Sequence, residues 1–204
     1  MPGRAGPAVS GSAVDARKFD PKKLAKLIDP KRLERENPDL IWDTLALKDP
    51  RVLVDIGAGT GFFAVPFSRK LPRGKVYACD ISEIMLAWMK DHLPPDCRGK
   101  VIPLKMEEST VPLPENTADL VFTVNLHHEL EAPEELLREA HRLLKPGGTL
   151  AVIDWKKEPT GDGPPLATRV AEATVAAQME ASGFTGVTRH AVLPCHSFLV
   201  GTRP

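Results

Sequence analysis

The run VLVDIGAGTGFFAVPF, residues 52–67, constrains the fold more than any other part of this chain. An apolar, β-branched run ends in Asp55, glycines follow at 57, 59 and 61, and an apolar segment with helical spacing takes over. The pattern predicts a buried strand, a tight turn and a helix start. Glycine is needed where a chain reverses this sharply with bare backbone against a ligand, because there is no room for Cβ and φ is often positive. Further strand and helix signals alternate along the chain, so this unit is expected in a mostly parallel α/β sheet covered on both faces.

Two ligand classes use such a turn. A dinucleotide fingerprint carries its third glycine three positions after the second, and here that position is Phe62. The order acid, x, Gly, x, Gly, x, Gly resembles motif I of the class I S-adenosylmethionine-dependent methyltransferases, in the small-molecule, type 11 (UbiE-like) branch. The resemblance implies S-adenosylmethionine as cofactor, with Asp55 at its methionine end and Gly57, Ala58, Gly59 and Gly61 passing beneath it. A glycine turn made for packing alone is the plainer alternative.

At 204 residues and 42% hydrophobic content the chain suffices for one domain with a proper core. Lys and Arg together number 27, as do Asp and Glu, so no global field draws in nucleic acid or a membrane surface. The three cysteines, Cys79, Cys97 and Cys195, are odd in number and include no CxxC pair, which argues against a disulfide framework and against a zinc site. No apolar run approaches the roughly 20 residues of a membrane span, and the N-terminus lacks a signal-peptide core. A soluble, cytoplasmic protein is expected, with a homodimer left open.

Residues 1–16 are rich in Gly, Pro, Ala and Ser and are expected to be a disordered tail. Residues 17–48 are expected to form an N-terminal helical lid over a methyltransferase domain at 49–204. Between Arg17 and Glu36 eight basic residues stand against four acidic ones, while Leu24, Leu27, Ile28 and Leu33 offer an apolar stripe. A lid, a patch for an anionic substrate and a solvated helix face all fit this composition. Asn37 and Pro38 start a further helix, ended by Asp49 and Pro50.

After the glycine turn, a helix over 61–71 leads to a second strand, 75–79, that ends at Asp80. An ionised carboxylate there can accept from both hydroxyls of a ribose, or it can cap the next helix together with Ser82. Ile81, Met85, Leu86 and Met89 recur at helical spacing and read most simply as core, with contact to an adenine ring the alternative for Ile81, directly after the acid. A helix over 82–92 and a third strand over 100–104 follow, with Pro103 suggesting an edge. Where relatives usually read Gly-Asp-Ala, this chain has Met106 and Glu107, counted back from the Val111-Pro112-Leu113 turn. The resemblance makes these the adenine contacts, with Glu108 the alternative if the register slips by one.

A fourth strand, 119–125, delivers Asn125, Leu126, His127, His128 and Glu129 to the edge where open α/β sheets bind ligands. The sequence NLHHEL, followed by a helix and LKPGG, again resembles the small-molecule branch. A fifth strand over 148–155 ends in Asp154-Trp155, a loop occupies 156–165, and a helix over 166–182 ends at Gly183. The stretches 184–192 and 197–202 close the chain as an antiparallel pair. The resemblance covers about residues 40–202 and implies a Rossmann-like seven-stranded mixed sheet of order 3-2-1-4-5-7-6, strand 7 antiparallel.

The implied reaction is methyl transfer to a small-molecule acceptor. If the acceptor is protonated, His127 or His128 is placed to act as general base. Hydrogen bonding of either imidazole to the backbone is the competing role. Asn125 is assigned to the methionine amino end, through its backbone. His141 is expected at the surface, and His190 and His196 on the closing strands away from the strand tips. The Asn-Pro-Pro-Tyr signature of enzymes that methylate nucleic-acid amines is absent. A nicotinamide oxidoreductase, a noncatalytic cofactor-binding domain and an RNA or protein methyltransferase are the alternatives.

Overall fold

A computed structural model describes residues 27–204. The tail assigned to residues 1–16, and positions 17–26 of the N-terminal segment, lie outside them. Two helices, α1 (Arg32–Arg35) and α2 (Pro38–Leu45), come first. They precede β1 (Val52–Ile56), α3 (Ala64–Arg69), β2 (Lys75–Asp80), α4 (Glu83–His92), β3 (Val101–Lys105) and β4 (Ala118–Val124). Then follow α5 (Pro133–Leu143), β5 (Leu144–Trp155), α6 (Glu172–Ala181), β6 (Thr185–Arg189) and β7 (His196–Thr202). The strands form one sheet in the order β3-β2-β1-β4-β5-β7-β6. Neighbours from β3 to β5 are parallel, and β7 runs antiparallel to both β5 and β6. This is the sheet that the resemblance implied.

Alternation along each strand feeds two cores. Leu53 and Phe122 face one side, with Ile41 of α2 and Phe67 of α3. Val54 and Val121 face the other, with Leu136 and Leu143 of α5 and Met179 of α6. The helix starts follow local chemistry. The Asn37 side chain accepts from the amides of Asp39 and Leu40, ahead of Pro38 at the first helical position. Ser82 does the same for Met85. Pro103 lies in β3, an edge strand, where its missing N–H is tolerated.

Several boundaries differ from expectation. The helix after the glycine turn begins only at Ala64. α5 stops at Leu143 and Leu144 already pairs with Ala118, because Pro146 disfavours a helical conformation for Lys145 before it. The last helix starts at Glu172 rather than at 166. The reason is Arg169, whose side chain donates to the carbonyls of Lys156, Glu158, Asp162 and Pro164 and ties its own segment into the loop. In α1 the expected apolar stripe is not what turns inward. Leu24 lies outside the described residues, Leu27 is partly buried near Gly59, Ile28 and Leu33 are exposed, and the buried residues here are Arg32 and Glu36.

Candidate active site

β1 carries Asp55 to the edge of the sheet, and the chain then turns through Gly57, Gly59 and Gly61, all at positive φ (76°, 53° and 79°). Gly57 and Ala58 both donate to the Cys79 carbonyl at 2.9 Å, which pins the turn to the tip of β2. A Cβ on Gly57 would come within 2.9 Å of Leu126, and one on Gly61 within 3.2 Å of Met89. The turn is therefore left-handed backbone packed from beneath by side chains, a shape only glycine adopts without strain.

The two acids are treated differently by their surroundings. Asp55 is buried and its Oδ2 has no hydrogen-bond partner among the described residues. Burial pushes its carboxyl well above the usual range, the Asp80 charge pushes further, and Arg32 opposes both. Asp80 Oδ2 accepts from the Gly59 amide at 2.7 Å and Oδ1 from the Ser82 amide at 2.8 Å. Burial still raises its pKa, against the pull of those amides and of Lys105. Ile81, next in the chain, has its carbonyl held by Lys105. Met106 is buried, its amide on the Asp80 carbonyl at 3.1 Å, while Glu107 is exposed and its amide bonds Thr110.

At the tip of β4, Asn125 has φ 58°, unusual for a residue with a side chain. Its amide donates to the Ile153 carbonyl at 2.9 Å, and its buried Oδ1 has no partner among the described residues. The two histidines that follow part ways. His127 is buried with Nε2 2.9 Å from Gln178 Oε1 of α6, and Gln178 in turn reaches Glu134. His128 turns toward β5, where its Nδ1 lies 2.7 Å from Asp154 Oδ1 and its amide donates to Oδ2 at 2.8 Å. Glu129 Oε1 is 3.9 Å from the other ring nitrogen.

Sequence reasoning placed His196 away from the strand tips, and this was wrong. Because β7 is antiparallel, its first residue pairs with Trp155 at the C-terminal end of β5, on the same edge as the glycine turn. His196 is fully buried, its ring 4.4 Å from that of Trp155 and its Nε2 3.6 Å from buried Glu36. Burial lowers its pKa to about 4, against the pull of Glu36 and Asp154. Strand direction was the signal available for it. Arg32 and Glu36 were hidden in what reads as a charged surface face. Arg35 bridges α1 to the loop through Asp162 at 2.7 Å. His141, expected at the surface, is partly exposed and packs edge-on against Phe184.

Among the described residues no cluster of His, Cys, Asp or Glu is arranged to hold a metal ion, and no helix is long and apolar enough to cross a membrane. A left-handed glycine turn at a sheet switch point, an acid at the end of each flanking strand and a sheet closed by an antiparallel strand define a class of protein. The chain belongs to the S-adenosylmethionine-dependent methyltransferases. Residues 54–152 match the family described as a methyltransferase domain.

The structure is similar to that of a SAM-dependent methyltransferase from Aquifex aeolicus, at 34% identity and a TM-score of 0.82, covering 92% of this chain and all of that one. In sequence, 117 residues are 30% identical to the ubiquinone/menaquinone biosynthesis C-methyltransferase UbiE of Neisseria meningitidis, over 56% of this chain and 47% of that protein. A second match, over 103 residues, is 33% identical to the malonyl-[acyl-carrier protein] O-methyltransferase of Methylococcus capsulatus, covering 50% of this chain and 36% of that protein. The chain thus spans less than half the length of those two relatives.

Proposed function

We propose that this chain transfers a methyl group from S-adenosylmethionine to a small-molecule acceptor, with residues 49–204 as the catalytic domain and residues 17–48 as its lid. The observation that carries the reading is the buried, unpartnered Asp55 oxygen beside three left-handed glycines. A cationic donor group such as the methionyl ammonium satisfies that oxygen. Asp80 has two of its roughly four acceptor positions filled by amides and retains capacity for a vicinal diol, which suits a ribose. Gly57, Ala58, Gly59 and Gly61 supply bare backbone between the two acids. Ile81 and Met106 give an apolar shelf for the adenine, with Glu107 at its rim, and Asn125 closes the methionine end.

Bound there, the cofactor supplies a methyl group on a sulfonium, which needs little activation. The protein's task is then to align the acceptor, and positioning of this kind removes much of a barrier. Of the two histidines, His128 is the one we assign as general base. Its Nδ1 is oriented by Asp154, which fixes the tautomer in which Nε2 accepts the proton. His127 holds Gln178 of α6 and is assigned to support. The strand order runs from Asp80 on β2 through Asp55 and Asn125 to Asp154 and Trp155, so the acceptor lies over β4 and β5. The free thiols of Cys79, Cys97 and Cys195 suit a cytoplasmic setting.

Calorimetric titration with S-adenosylhomocysteine, followed by a labelled-methyl screen over metabolites and RNA, tests the reading. Binding in the micromolar range and label on a metabolite are expected. Binding without turnover on any acceptor would leave a noncatalytic cofactor domain instead.

A further inference from the structure

Arg32 is an unusual member of a short surface helix, because its side chain is almost wholly buried. The guanidinium lies 4.1 Å over the Phe62 ring, directly after the last glycine of the turn. Its Nε and Nη2 both reach one oxygen of Glu36, at 3.2 and 2.7 Å, and its Nη1 donates to the Leu27 carbonyl at 2.9 Å. A guanidinium carries five N–H donors, so these three bonds leave two, one on each terminal nitrogen, without a partner among the described residues. Those two N–H groups, one on each terminal nitrogen, are of the type that donates to a carboxylate. Burying it unfilled costs free energy.

The second half of the site is Asp55, near the end of β1 where the turn begins. Asp55 Oδ2 is a buried acceptor without a donor, and the Arg32 charge acts on that carboxylate. Leu27, whose carbonyl Arg32 holds, comes within 3.7 Å of the place where a Gly59 Cβ would stand. The guanidinium thus sits against Phe62, directly after the turn, and the carboxylate at Asp55, directly before it. A two-pronged cationic donor and a single anionic acceptor around one turn complement an α-amino acid zwitterion, carboxylate to one and ammonium to the other.

We propose that Arg32 binds the α-carboxylate of the cofactor's methionyl group, with Glu36 as the counter-ion that fixes the plane of its guanidinium. This rests on the reading that S-adenosylmethionine sits at the glycine turn. It gives the buried Arg32–Glu36 ion pair a binding role as well as a structural one.

The test is a set of calorimetric titrations with S-adenosylhomocysteine, its decarboxylated amine analogue and 5′-methylthioadenosine, which lacks the amino-acid head altogether. In Arg32→Gln the affinity for S-adenosylhomocysteine falls about tenfold or more, the scale of a lost charged hydrogen-bonded pair. Binding of the two ligands without a carboxylate changes by less than about twofold. The double variant Arg32→Gln/Glu36→Gln, which removes both charges of the pair, gives the same pattern and guards against misfolding of the single variant. Equal losses for all three ligands, or no loss for any, would overturn the role of Arg32 while leaving the cofactor reading intact. If the unaltered protein bound none of the three, both would fall.

Discussion

His128 and Asp154 meet across the tips of β4 and β5 in a two-point contact, ring Nδ1 to Oδ1 at 2.7 Å and backbone amide to Oδ2 at 2.8 Å. Asp154 Oδ1 also accepts from the Trp155 amide at 2.7 Å, so the carboxylate is held from two directions and cannot rotate without breaking several bonds. With an acceptor in hand, His128→Gln lowers kcat on the order of 10²-fold, and Asp154→Asn about tenfold through loss of orientation. Affinity for S-adenosylhomocysteine stays unchanged in both. Wild-type kcat in His128→Gln would remove the base from the mechanism.

Asp55 sets binding against stability. Its folded-state pKa is raised, so the ionised form is disfavoured by folding, and that penalty is present in full above the folded pKa and relieved as pH falls through it. Asp55→Asn removes that penalty, so the variant gains stability relative to the wild type as pH rises through the folded pKa, read as the difference in urea midpoint. The same substitution weakens S-adenosylhomocysteine binding at least tenfold by calorimetry, because the amide no longer offers an anion to the ligand. A loss of stability would show that the carboxylate has a partner the geometry does not reveal.

How much of this was legible in the sequence depends on whether a residue's role is local. The glycine turn could be read because positive φ at 57, 59 and 61 is a property of the chain itself, and strand ends at Asp55 and Asp80 follow from short apolar runs. Asp154 was visible as an acid ending the fifth strand, but its partner could be known only once β4 and β5 were in register. His196 depended on the direction of β7, which reverses which end of the strand meets the ligand edge. Arg32 and Glu36 were missed because their burial comes from pairing with each other over Phe62, while hydrophobic spacing pointed to Leu33 and Ile28.

His196 gives stability a specific pH dependence. Its folded pKa of about 4 lies below the ordinary 6.5, so the folded state binds fewer protons in between. The stability it contributes is complete above pH 6.5 and is lost as pH falls toward 4, on the order of 3 kcal/mol by linkage. Glu36 and Asp154 favour the charged ring, while burial, Arg35 and Arg32 oppose it. The acids with lowered values, Asp96, Asp119 and Glu139, lose their contributions only at lower pH. His196→Phe, which keeps the ring contact with Trp155, should therefore flatten the urea midpoint between pH 6.5 and 4.5. An unchanged slope would assign the acid limb to another group.

Arg169 ties the loop over 156–165 down at several points. It donates to four backbone carbonyls and to Thr160 Oγ1 at 2.7 Å, and its guanidinium lies 5.3 Å from the Trp155 ring. Gly163 packs so closely beneath that ring that a Cβ would stand 2.7 Å away. Replacing Arg169 by Met keeps the stem but removes the one guanidinium that those carbonyls share. The cost is about 2–4 kcal/mol in urea unfolding, more than a surface arginine would show. Hydrogen exchange should speed up within 156–171 first, because the loop opens before the sheet does. Uniform destabilisation with no local increase in exchange would mean that Trp155 and the Arg35–Asp162 bridge, rather than Arg169, hold the loop down.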